Sequence, residues 1–120
     1  MDLAIAVSRE NGQSSAPGKG WVKVKQGGQM VGQAYKELTQ FYPKAGWVEH
    51  DPLEIWHDTK TVMEAVVKQT GIDPQTIAAL GLTVQRETCL LWDKTTGQPL
   101  HPAIVWQDRR AKNWAESDAD

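Results

Sequence analysis

The sequence predicts an α/β fold, and three observations predict it. Residues 3–7, Leu-Ala-Ile-Ala-Val, form the short unbroken apolar run that a buried strand carries. Residues 52–70 place Ile55, Trp56, Thr59, Val62, Met63, Val66 and Val67 on one face at helical spacing. Residues 77–84 return to an apolar, partly β-branched run, interrupted only by Gly81.

Taken in order, the strand at 3–7 is followed by a stretch of different character. Residues 8–29 hold Ser8, Asn11, Gly12, Ser14, Ser15, Pro17, Gly18, Gly20, Gly27 and Gly28 without a sustained period. That composition reads as a loop or disordered segment. Within it, residues 21–25 alternate and are expected to form at most one isolated strand. Residues 30–38 alternate more regularly and suit a strand with one wet edge. Residues 41–51, with Pro43, Gly46 and Trp47, read as a loop.

Asp51 then Pro52 is a helix start, because Asp accepts from orphan N–H groups and Pro fits the first helical position. Gly71 ends that helix, since glycine tolerates the left-handed turn a helix terminus needs. Asp73 and Pro74 cap a short turn before the strand at 77–84. Residues 89–92 read as another strand and 93–97 as a turn, so 89–105 has the pattern of a hairpin. A second helix is expected from Asp108 to Trp114, with Asp108 at its positive end. The division that follows is an irregular segment, 1–29, ahead of an organised domain, 30–120.

Bulk composition narrows the function classes. The chain has 120 residues, 40% hydrophobic and 23% charged, which suits one domain or part of one. A net charge of -2 points to neither nucleic acid nor an anionic membrane as partner. Cys89 is the single cysteine, which excludes an internal disulfide and suits a reducing compartment. The apolar start at Met1 is too short for a signal peptide, and no run approaches the ~20 apolar residues of a membrane span. A cytoplasmic protein is the expectation.

The residues that carry chemistry are Arg86, Glu87 and Trp106. Arg86 beside Glu87 sets a fixed cation and an acceptor-only anion at one point, and Trp106 adds a flat apolar wall. Glu accepts from hydroxyls, Arg donates to them and Trp covers C–H faces, so the three suit a small polyol. A surface ion pair and a core aromatic are the commoner uses of these residue types. Trp47, Glu49, His50 and Asp51 suggest a polar cluster beside a helix N-terminus, with a structural use. His50, His57, Cys89 and His101 lack metal-ligand spacing, which rejects zinc. Gly12 to Gly18-Lys19 is one residue too long for a phosphate loop, and Gly20 stands where a hydroxyl residue is required.

Several of these strings occur together in a known family. Tyr42 and Pro43, residues 46–52, Ile55 and Trp56, 81–83, 85–88, Thr96 and Gly97, Pro99 and 104–107 closely resemble the N-terminal domain of glycerol kinases, within the FGGY carbohydrate kinases. The resemblance covers residues 30–110. It implies a partial ribonuclease-H-like domain of the actin and hexokinase type, with an incomplete sheet and flanking helices. It implies glycerol as the ligand, with Arg86 and Glu87 on its hydroxyls and Trp106 along its carbons. The family reaction it implies is transfer of the γ-phosphoryl group of MgATP to glycerol. Another polyol or sugar remains an alternative substrate, and a non-catalytic interaction module an alternative role.

Two departures from the pattern matter. The family opens with a strand running into an Asp-x-Gly-Thr-Thr hairpin, and residues 8–29 lack it. A shifted reading frame or misplaced start is the expected origin of that stretch. The catalytic aspartate and the nucleotide domain are expected to lie beyond Asp120. The chain is therefore read as an inactive fragment that holds no MgATP of its own. Loss of the first hairpin is expected to leave a sheet edge unpaired and to favour association through exposed apolar surface.

Overall fold

The structure, a computed structural model, describes residues 3–10, 19–83 and 87–112. Four strands make the main sheet: β1 (Leu3–Glu10), β2 (Lys19–Gln26), β3 (Gln29–Glu37) and β5 (Ile77–Leu82), in the order β3-β2-β1-β5. The first three form an antiparallel meander. Leu3 lies opposite Gln26 and Glu10 opposite Lys19. Gln26 lies opposite Gln29, so β2 and β3 are joined by two residues only. Those two are Gly27 (φ 59°) and Gly28 (φ 80°). Two successive positive φ values give the tight turn that matches strand twist, and glycine adopts them without a Cβ clash.

Residues 8–10 and 19–29 are thus strand and turn, not the loop their composition predicts, and 21–25 is not an isolated strand. The reason is that glycines of a two-residue turn and small residues of a strand look like loop composition when averaged together. Val22 and Val24 are 1% and 0% exposed, whereas Lys23 is half-buried and Lys25 exposed. This period-2 alternation is the signal that the average hides. The first hairpin is accordingly present. The sheet edges are β3 and β5. Residues 11–18 lie outside the described residues.

Helix α1 (Pro52–Thr70) has the bounds its sequence predicts. Asp51 Oδ1 accepts from the Leu53 N–H at 2.9 Å. Gly71 (φ 66°) closes the other end, its N–H bonded to the Val67 carbonyl at 3.0 Å. The helix lies on one face of the sheet. Val62 and Val66 meet Val22 and Val24, with Ala34, Met63, Val67, Ile72 and Ile77 around them. Gly32 on β3 lets the helix approach, since a Cβ there would run into Thr70 Cγ2.

From α1 the chain makes a single 3₁₀ turn, Pro74–Thr76, capped by Asp73, and enters β5 parallel to β1. Leu80 and Leu82 on β5 are 54% and 70% exposed. Val84 and the rest of the stretch 84–86 lie outside the described residues.

The remaining residues form a second, smaller β unit. Strand β4 (Glu49–His50) pairs antiparallel with β6 (Ala103–Ile104). Single bridges join Phe41 to Glu49, Cys89 to Ile104 and Trp92 to Pro99. The expected hairpin over 89–105 is therefore reduced to isolated bridges, because Pro99 and Pro102 carry no N–H to donate to a ladder. Its turn does form as expected. Asp93 Oδ1 accepts from Thr95 and Thr96 N–H at 2.8 Å each, which holds the Asp93 carboxyl below its ordinary value. Asp108 does not start a helix: 108–109 are irregular, 110–111 form a turn, and helical structure begins only at Lys112, whose N–H donates to the Arg109 carbonyl at 3.1 Å, because the Asp108 carboxylate is taken by Val48 and Arg110.

Candidate functional site

The site forms where the loop before α1 meets the segment that follows β6. Two main-chain bonds join them: Val105 N–H to the Val48 carbonyl at 3.3 Å, and Arg109 N–H to the Gly46 carbonyl at 2.7 Å. Between those anchors the chain turns back, with Asp108 N–H donating to the Val105 carbonyl at 2.9 Å. Trp106 sits in that turn. Val105 beside it is 2% exposed, whereas Trp106 is 47% exposed. Trp106 is thus a solvent-facing aromatic on an anchored turn, not the core aromatic that its residue type usually makes.

Glu87 lies shortly before the segment that bridges to β6. Cys89 and Ile104 exchange both backbone bonds, at 2.8 and 3.0 Å. Glu87 and Trp106 each stand two residues beyond that pair, and both lie in turns. Glu87 is exposed, with φ at 55°, and is the one non-glycine residue of positive φ among the described residues. A side chain held in the left-handed region costs roughly 1–2 kcal/mol, and such strain clusters at functional positions. Arg86, the third expected contact, lies outside the described residues.

The electrostatics of the site centre on Arg110. Its Nε donates to both oxygens of Asp108 at 3.0 Å, and its Nη2 to Asp108 Oδ2 at 2.7 Å. The same Nη2 donates to Glu49 Oε1 at 2.8 Å. The guanidinium carbon lies 3.8 Å from the Trp47 ring centre, and Lys44 Nζ approaches the same ring at 4.7 Å. Asp108 also takes the Val48 N–H at 2.7 Å and the Arg110 N–H at 2.9 Å. Burial alone would raise the Asp108 pKa, but the Arg110 side chain and the two N–H groups overcome it and hold the carboxyl below its ordinary value. The bonds to Asp108, against the cost of burial, in turn raise Arg110 above its ordinary value.

Sequence reasoning placed Trp47, Glu49, His50 and Asp51 in a polar cluster at the start of α1, and three of them are buried or capping there. Glu49 is 6% and His50 1% exposed, and Asp51 caps the helix. It missed Arg110, which completes the cluster from 61 residues away. The available signal was charge bookkeeping: a Glu enclosed beside Val48 and His50 needs a cation from elsewhere.

A surface cavity of about 520 Å³ is lined by Phe41, Tyr42, Pro43, Glu49, Asp51 and Pro102, and neither Glu87 nor Trp106 lines it. Its carboxylates are already committed, Glu49 to Arg110 and Asp51 to the helix N-terminus. It therefore offers few free polar groups that converge on its interior. Among the described residues, no three His, Cys, Asp or Glu side chains could hold a metal ion together. No described helix is long and apolar enough to cross a membrane.

Comparison with known proteins gives the family. Residues 19–118 match the FGGY family of carbohydrate kinases, N-terminal domain. The match begins eleven residues before Met30, so β2 carries family pattern that the sequence strings alone did not reveal. A glycerol kinase from Synechocystis sp. is 80% identical over 87 residues, covering 72% of this chain and 18% of that protein. One from Acaryochloris marina is 70% identical over 95 residues, covering 79% and 19%. The chain thus spans about a fifth of the length of the curated relatives it matches. Among solved structures, Plasmodium falciparum glycerol kinase with ADP superposes with a TM-score of 0.73 at 30% identity, covering 97% of this chain and 23% of that one. Xylulose kinase from Lactobacillus acidophilus superposes with a TM-score of 0.80 at 19% identity, covering 98% and 22%, which speaks for the fold alone. These neighbours are sugar kinases of the ribonuclease-H-like, actin and hexokinase type, and the sheet with its flanking helix is part of that fold. With residues 19–118 matching the N-terminal domain, the chain belongs to the FGGY family of carbohydrate kinases.

Proposed function

We propose that this chain is the glycerol-contacting portion of a glycerol kinase, whose whole reaction is transfer of a phosphoryl group from MgATP to glycerol in the cytoplasm. The observation that carries this reading is Glu87, strained and exposed, two residues from the Cys89–Ile104 pair that leads to Trp106. Glu87 accepts from hydroxyls, the neighbouring Arg86 donates to them, and the exposed indole of Trp106 covers the carbon chain. Relatives named glycerol kinase at 80% and 70% identity support glycerol over a pentose sugar.

No described acidic cluster is able to hold the metal, and the glycine string at 12–20 lacks both the spacing and the hydroxyl residue of a phosphate loop. No phosphoryl-transfer step is assigned to these residues. The 120-residue chain alone is expected to be inactive, because metal, base and nucleotide contacts act as a unit.

The test has two arms. Saturation-transfer NMR with glycerol and xylulose is expected to show contact with glycerol only, and loss of that contact in Glu87→Ala and Trp106→Ala. Equal response to both compounds, or none to either, counts against the reading. A coupled ADP assay is expected to show no glycerol-dependent turnover by the isolated chain.

A second reading, a non-catalytic module that associates with another chain, has one observation in its favour. Strand β5 is a sheet edge that exposes Leu80 and Leu82. Light scattering distinguishes the two, since a monomer at high concentration speaks against association.

A further inference from the structure

We propose that Arg110 is the positioning residue for Trp106: its guanidinium, laid on Trp47 and forked between Asp108 and Glu49, locks the turn that presents the indole to the substrate. The inference rests on the reading of Trp106 as a substrate contact. It adds a residue four positions from the nearest expected contact and with no direct role in the chemistry.

The argument begins with what holds the turn. Trp106 is half exposed, so packing covers only part of its ring. The backbone on either side sets where the ring starts. Val105 is buried and bonded to Val48, and Asp108 closes the turn by donating to Val105. Asp108 therefore carries one end of the turn, and its carboxylate decides where that end lies. Oδ2 of Asp108 reaches the Val48 N–H at 2.7 Å. Both oxygens are gripped by Arg110.

Arg110 connects that grip to the rest of the cluster. It reaches Glu49 on β4 and lies 3.8 Å from the centre of Trp47. Its side chain is 17% exposed, that of Glu49 8% and that of Asp108 3%. Charges this enclosed are weakly screened, and a planar guanidinium bonded on two sides and stacked on a ring has little freedom left. The segment 46–49 and the turn 105–108 thus move as one piece, with Trp106 at its exposed corner. Lysine cannot replace this arrangement. An ammonium is a point donor that neither forks a carboxylate nor stacks flat on an indole.

The test uses the whole chain labelled with 5-fluorotryptophan and read by 19F NMR, with the Trp106 resonance assigned through Trp106→Phe and Trp56 on α1 as internal reference. Arg110→Lys and Arg110→Gln are expected to broaden or shift the Trp106 line toward its position in the unfolded chain, with the Trp56 line and helical circular dichroism unchanged. Glycerol added to the unsubstituted chain is expected to move the Trp106 line, and Arg110→Lys to weaken that response about tenfold or more, since small misplacements of a positioning group carry large losses. A Trp106 line unchanged in both folded Arg110 variants overturns the proposal. If glycerol leaves the unsubstituted Trp106 line unmoved while Arg110→Lys still broadens it, the substrate reading falls and the clamp on the turn stands. Should the Arg110 variants fail to fold, Glu49→Gln removes one charged partner at constant volume. It is expected to broaden the Trp106 line to a lesser degree, and an unchanged line there overturns the clamp as well.

Discussion

Lys36 Nζ stands 2.7 Å from Asp58 Oδ1 and ties the edge strand β3 to helix α1. The two ends of this bond differ: the Asp58 side chain is 6% exposed and that of Lys36 is 50%. Oδ2 of Asp58 has no partner among the described residues. Removing the cation leaves a carboxylate enclosed without compensation, whereas removing the carboxylate leaves a lysine that turns into water. Lys36→Met is expected to destabilise the chain by about 1–3 kcal/mol and Asp58→Asn by less. Urea unfolding of both single variants and the double variant checks this. The double variant is expected to recover part of the Lys36→Met loss.

Gly32 permits the same helix and sheet to close. A Cβ at this position would strike Thr70 Cγ2 and come within 3.5 Å of Val66 Cγ2. Thr70 is a poor candidate for yielding, because its hydroxyl is bonded to the Val66 and Val67 carbonyls at 2.8 and 3.2 Å. Gly32→Ala is expected to cost about 1–3 kcal/mol, as overpacking does. Adding Thr70→Ser, which deletes the obstructing methyl and keeps the hydroxyl, is expected to restore most of it. Thermal unfolding of the two variants side by side is the measurement.

Acid is expected to loosen the cluster around Arg110. The Asp108 carboxyl is held below its ordinary 3.8 in the folded chain. A depressed carboxylate pKa contributes stability that is present above the ordinary value and lost as pH falls through the folded one. The contribution is therefore constant from neutral pH down to about pH 5, and declines below about pH 4. Urea midpoints measured from pH 7 to pH 3 are expected to fall at the acid end. Asp108→Asn is expected to lower the plateau and flatten that acid decline.

Glu87 combines an exposed side chain with a left-handed backbone, a conformation that glycine adopts freely. Glu87→Gly is expected to leave stability unchanged or raise it by up to about 1 kcal/mol, because relief of strain offsets the added chain entropy. The same change is expected to abolish the NMR response to glycerol. A stability gain together with retained glycerol contact would place the strain at Glu87 outside the binding function. Glu87→Gln, which keeps the length and removes the charge, is expected to weaken contact without a change in stability.

The sequence by itself determined the elements whose signals are local. The bounds of α1 follow from Asp51, Pro52 and Gly71, and the turn at 93–97 follows from Asp93 and Gly97, because caps and turns are made by residues a few positions apart. The strings at 46–52, 85–88 and 104–107 were legible for the same reason, and they pointed to the family. Tertiary structure alone decided the rest. Residues 19–29 have loop composition, yet they form strand and hairpin because Val22 and Val24 find Val62 and Val66 on a helix some forty residues later. Arg110 reads as part of a charged helix start until Glu49, Asp108 and Trp47 are seen around it. Burial and pairing between distant segments leave no mark on the residues next to them in the chain, so only the folded arrangement reveals which apolar residue meets which, and which charge answers which.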